Sequence, residues 1–169
     1  MPLTLFARHA RTIFLVFGII ALSSCGFHLS GPRPLAFSTI YVGISEYTSL
    51  GIALRRQIAL SGSTTVEKDA ARAEATLQIL ANERGREILS LTPIGTVREY
   101  ELTQVVRFRL VDRSGNEMIP PSALSVRREY TFSDELILGK EQEEALLYDD
   151  MEKDLVRQLM RRLAAWQRP

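Results

Sequence analysis

The chain has 169 residues, 46% of them hydrophobic and 24% charged, with 21 Lys and Arg against 20 Asp and Glu. That size and apolar content suit one domain with a real core, and the near-neutral charge gives no global pull toward nucleic acid. One cysteine and two histidines exclude a disulfide framework within the chain and a His/Cys metal cluster.

The first 24 residues read as a cleaved secretory signal. Arg8 and Arg11 precede an apolar run from Ile13 to Ala21, and no acidic residue occurs before Glu46. A basic start followed by a short apolar stretch directs export and is too short to span a bilayer. Behind it stands Leu22-Ser23-Ser24-Cys25, a lipobox, in which small residues precede a cysteine. The thiol of Cys25 is expected to take a diacylglyceryl thioether and become the first residue of the mature chain. Two or more acyl chains make a stable anchor, at about 0.8 kcal/mol per buried methylene. Gly26 follows, not Asp, which in a Gram-negative host implies transport to the outer membrane, on its periplasmic side. Removing residues 1–24 from 169 leaves 145, and the loss of two arginines and no acid keeps the mature charge near zero.

Residues 25–37 contain Gly31, Pro32 and Pro34 and read as an extended lipidated tether. A single domain is expected over 38–169. Ser38 to Ile44 is a short β-prone run. Thr48 and Ser49 are good N-caps for a helix from about Leu50 to Leu60, with Leu50, Leu54 and Ile58 on one face and Gly62 ending it. From Ala75 the period changes to two, giving a strand that runs toward Leu89. Thr92-Pro93-Ile94-Gly95 is turn chemistry.

The clearest strand follows, with Tyr100, Leu102, Gln104, Val106, Phe108 and Leu110 on one face. Its other face is mostly polar, as in a sheet packed on helices on one side only. Asp112 to Asn116 makes a hairpin loop, and Pro120-Pro121 delays the partner strand to Ala123–Phe132. Ser133 to Lys140 reads as a loop. A long amphipathic helix from Glu141 to about Gln167 carries the row Leu147, Met151, Leu155, Leu159 and Leu163.

The order β-α-β-β-β-α predicts an α+β two-layer sandwich: a four-stranded mixed sheet with both helices packed on one face. Little in it points to catalysis. His9 leaves with the signal and His28 lies in the tether, and no nucleophile elbow, phosphate loop or dinucleotide fingerprint occurs. Asp149 and Asp150 are adjacent on a helix and point about 100° apart, so they cannot act as a pair. Glu99 and Glu101 share a strand face as a solvated edge. No enzyme, cofactor or metal is therefore expected. The remaining resource is the far face of the sheet, where Arg107, Arg109 and Arg127 make a basic strip able to meet phosphates bidentately or acidic residues of a protein.

Several segments taken together resemble one family, the LPS-assembly lipoprotein LptE. They are Cys25-Gly26-Phe27-His28-Leu29, then Gly95 with Glu99-Tyr100-Glu101-Leu102, and Gly139-Lys140 with Glu143-Glu144. The last is Met151 with Asp154-Leu155, Gln158-Leu159 and Arg161-Arg162-Leu163. The resemblance implies a lipoprotein that plugs and helps assemble the β-barrel LptD in a one-to-one complex, placing lipopolysaccharide in the outer leaflet. It also implies lipopolysaccharide binding. Lys140 falls on the family's lysine before the last helix, and Arg107 and Arg109 become candidate phosphate contacts. At the turn where some members carry a cation this chain has Pro93, and Arg98 nearby is not a match. The competing expectation is a lipid-anchored periplasmic scaffold that binds another envelope protein or peptidoglycan.

Overall fold

The computed structural model describes residues 34–132 and 137–167, within the compact unit Pro32–Pro169. Its elements are β1 (Thr39–Gly43), α1 (Ser49–Leu60), β2 (Thr65–Glu67), a 3-10 turn (Ala70–Arg72), β3 (Ala75–Leu91), β4 (Val97–Asp112), β5 (Glu117–Thr131) and α2 (Ile137–Ala165). The described strands form one open mixed sheet in the order β2-β1-β3-β4-β5, parallel across β1 and antiparallel from β3 onward. The sheet thus has five strands where four were expected. The added one, β2, pairs Thr39 with Thr65 through Tyr41 with Glu67. Three residues are too few for an alternation to be visible in sequence.

Helix α1 begins as its sequence predicts. The Thr48 hydroxyl accepts from the Gly51 amide at 3.1 Å and donates to the Ser45 carbonyl at 2.8 Å. This tight entry needs Gly51, because a Cβ there would lie 2.1 Å from the Ser45 oxygen. Leu50, Leu54 and Ile58 are buried, and Gly62 leaves the helix with φ at +73°.

Helix α2 starts at Ile137, four residues earlier than expected, so Lys140 lies in its first turns and not in a loop. Met151, Leu155, Leu159 and Leu163 are each no more than 1% exposed. They join Ile40, Val42, Leu77, Val106, Phe108 and Leu110 and the buried leucines of α1 in one core, which puts both helices on the same face of the sheet. A bond from the Ser49 hydroxyl to Glu152 at 2.9 Å ties the helices together.

Leu35 and Phe37, assigned to the tether by composition, belong to this core. The Phe37 ring lies 6.4 Å from Trp166, and Thr64 donates to the Phe37 carbonyl at 2.9 Å. The folded domain therefore begins by Leu35.

Register explains the distal half of the sheet. Leu77 and Ile79 face the core opposite Leu110 and Phe108, and then Leu80 is skipped in a bulge, so that Ala81 pairs with Arg107. One extra residue exchanges the faces of everything beyond it. Asn82, Arg84 and Arg86 turn toward α2, opposite Val106, Gln104 and Leu102, while Glu83 and Glu87 turn outward. Strand β5 is longer than expected and takes in Pro120 and Pro121, which an edge strand tolerates.

Candidate functional surface

Because of that exchange, charged residues of β3 meet charged and aromatic residues of α2. Glu144, Tyr148 and Glu152 recur every four residues along one helical face. Glu144 accepts from the Tyr130 phenol at 2.6 Å and from Arg86 at 2.9 Å. The Arg86 guanidinium lies 4.8 Å from the centre of the Tyr100 ring, and Tyr100 stacks on Tyr130 at 5.8 Å. One turn on, Arg84 covers the Tyr148 ring at 4.9 Å and pairs with the buried Glu152 at 3.2 Å. The Tyr148 phenol donates to the Gly85 carbonyl at 2.8 Å. Burial and then the neighbouring Glu144 carboxylate push the Tyr130 phenol up to about 12. The hydrogen bond and charge of the same carboxylate raise Arg86. This cluster clamps the first half of α2 to the sheet. Sequence reading missed it, although the stripe 144, 148, 152 was its visible sign.

The basic strip is present on the outer face but is largely neutralised. Arg107 pairs with Glu83 at 3.2 Å. Arg109 donates to the Gln78 side chain at 2.7 Å and stands 3.6 Å from Glu117. Arg127 is exposed and sits opposite Thr103, four positions along from Arg107. Lys140 is on the helix layer, the other side of the sheet from these arginines, so the structure does not bring the expected set together. Its ammonium pairs with Glu143 at 2.7 Å within the helix. Cys25 lies outside the described residues.

Two further surfaces stand out. On the outer face Glu87, Glu101 and Glu129 are aligned side by side across β3, β4 and β5. Beyond them the β3–β4 hairpin exposes Ile88, Leu89, Leu91 and Ile94, the last at 86%. Its turn bonds to itself: Thr92 N–H to the Thr96 carbonyl at 2.8 Å, Gly95 N–H to the Thr92 carbonyl at 2.9 Å, and the two threonine hydroxyls at 2.7 Å. Gly95 adopts φ +84°, which accounts for glycine there.

A cleft at the ends of β1 and β2 contains Arg55, but that guanidinium is spent on the carbonyls of Val42 at 2.9 Å, Ile44 at 2.7 Å and Gly51 at 3.1 Å. Among the described residues no group of three or more His, Cys, Asp or Glu could hold a metal. No described helix is long and apolar enough to cross a membrane.

Comparison with known proteins gives this architecture its context. The family LptE, described as lipopolysaccharide-assembly, matches residues 37–163. The LPS-assembly lipoprotein LptE of Pectobacterium atrosepticum is 32% identical over 166 residues, covering 95% of this chain and 83% of that protein. The solution structure of lipoprotein B from Nitrosomonas europaea superposes with a TM-score of 0.69 at 35% identity, covering 83% of this chain and 91% of its own. The crystal structure of rare lipoprotein B from Shewanella oneidensis does so at 0.67 and 25% identity, covering 76% and 95%. By the family match and this identity, the chain belongs to the LptE family, whose members are lipopolysaccharide-assembly lipoproteins and not enzymes.

Proposed function

We propose that this chain is an outer-membrane lipoprotein, acylated at Cys25, that plugs and helps assemble an LptD-like β-barrel. The complex inserts lipopolysaccharide into the outer leaflet. The observation that carries the reading is the family match over residues 37–163, nearly the whole folded domain. Two structural features support it. The outer sheet face carries paired opposite charges, Arg107 with Glu83 and Arg109 with Glu117, which suits the polar, wet interior of a large barrel. The domain also has one core beneath the sheet and a long helix tied to it by Glu144 and Glu152, which suits a plug that must hold its form against a surrounding wall.

In this reading Lys140, Arg107 and Arg109 are the candidate contacts for lipopolysaccharide phosphates. The intrahelical pair of Lys140 with Glu143 leaves its side chain partly exposed, at 19%, so exchanging that carboxylate for a phosphate needs only a rotamer change. Extraction of native membranes in mild detergent, followed by affinity purification of the tagged lipoprotein, should recover a large barrel at one-to-one stoichiometry. Recovery with soluble periplasmic or cell-wall partners and no barrel would favour the scaffold role and overturn the plug.

A further inference from the structure

A groove of about 570 Å3 runs between α1 and α2 on their solvent side. Ala53 and the buried Val156 lie in its floor. Ile52 and Leu60 of α1 stand along it at 54% and 59% exposed, with Arg56 midway between them. These three residues are four apart in sequence, so they form a single row about 12 Å long. The row reads apolar, cationic, apolar.

The opposite rim is cationic as well. Lys153 and Arg157 of α2 line it, Lys153 paired with Asp149 at 2.5 Å and Arg157 with Asp154. Asp154 is shared with Arg128. The buried Glu152 is turned to Arg84 and Ser49. Arg56 has no carboxylate partner among the described residues. The groove therefore holds an excess of positive charge beside exposed aliphatic carbon. A single exposed leucine is ordinary, but two in step along one groove form a recognition pattern.

We propose that this groove docks a short helix of a partner protein, carrying apolar, acidic and apolar side chains at successive four-residue steps. The V between two packed helices accommodates a third one. A helix laid along α1 repeats at the same interval as the row. Its two apolar side chains then meet Ile52 and Leu60, and the carboxylate between them meets the Arg56 guanidinium bidentately. An acyl chain is the poorer occupant, because the guanidinium interrupts the apolar row at its centre and hydrocarbon offers it no acceptor. This inference goes beyond the plug function and does not rest on it.

The test uses the full-length acylated protein, its anchor held in phosphatidylcholine nanodiscs. The probe is a fluorescein-labelled synthetic peptide of about 16 residues, long enough to form a helix in water. One face of it carries leucine, glutamate and leucine at four-residue steps. Fluorescence anisotropy should show saturable binding, weakened roughly tenfold or more when lysine replaces that glutamate. Arg56→Glu should reverse the order and favour the lysine peptide, a swap that misfolding cannot produce. Ile52→Asp should weaken the glutamate peptide by a similar factor. Leu146→Asp, at an α2 leucine 70% exposed outside the groove, should leave binding unchanged. Absence of saturable binding, no reversal in Arg56→Glu, or an equal loss in Leu146→Asp would overturn the proposal. So would displacement of the peptide by monomeric dihexanoyl phosphatidylglycerol, which would assign the groove to lipid. No barrel is present in this assay, so its outcome stands apart from the co-purification that tests the plug.

Discussion

Tyr130 on β5 donates its phenolic hydrogen to Glu144 on α2 across 2.6 Å, in a position only 6% exposed to solvent. The bond makes the stability of the domain depend on pH in the alkaline range. Burial and Glu144 raise the folded-state phenol from 10 to about 12, so the neutral form is the one the fold favours. Its contribution is complete below pH 10 and is lost as pH rises through 12. Urea midpoints measured across that window should show a fall on the order of 2 to 3 kcal/mol in the unsubstituted protein. Tyr130→Phe should lose that component of the slope and cost about 1–3 kcal/mol at neutral pH, because Glu144 loses a donor.

Gly51 is needed for contact, since its φ is unexceptional. Gly51→Ala would drive a methyl group into the Ser45 carbonyl at 2.1 Å. Loss of about 1–3 kcal/mol is expected from such overpacking, read from thermal or denaturant unfolding. Gly85→Ala is the control, because a Cβ there meets nothing within 4 Å. It should leave stability unchanged or slightly improved.

Cys25→Ala should abolish acylation and release the mature domain from barrel-free membranes. Mass spectrometry of the N-terminus and fractionation in a strain depleted of the barrel give the measurement. Persistent partitioning of the variant with those membranes would remove the anchor from the account.

Lys140→Asp should weaken lipopolysaccharide binding more than barrel association. Its intrahelical pair with Glu143 is partly exposed and contributes only about 0.3–0.5 kcal/mol to stability, so a binding defect would not come from unfolding. Equal loss of both activities, with a lowered unfolding midpoint, would assign Lys140 to supporting the helix.

The sequence was most legible where one period persisted for long. The alternation along β4 and the four-residue row of α2 located the core residues correctly, because each element buries one continuous face. It was least legible where tertiary contacts decide. Leu35 and Phe37 follow prolines and look like tether until Trp166 covers Phe37. The sequence points to a later start for α2 than Ile137, because Gly139 argues against helix and the apolar row begins only at Leu147. For the candidate site, the outer-face arginines were recognisable from alternation, but their partners were not. The bulge at Leu80 is what brings Glu83 beside Arg107 and turns Arg84 and Arg86 inward, and no residue pattern announced it.

The outermost strand β5 carries a further implication. Pro120 and Pro121 remove two amide donors from it, and Arg128 folds back to donate to the Arg127 carbonyl at 2.9 Å while holding Asp154. A border so obstructed is a poor template for recruiting another copy by strand pairing. This side of the sheet therefore resists fibrillar self-association.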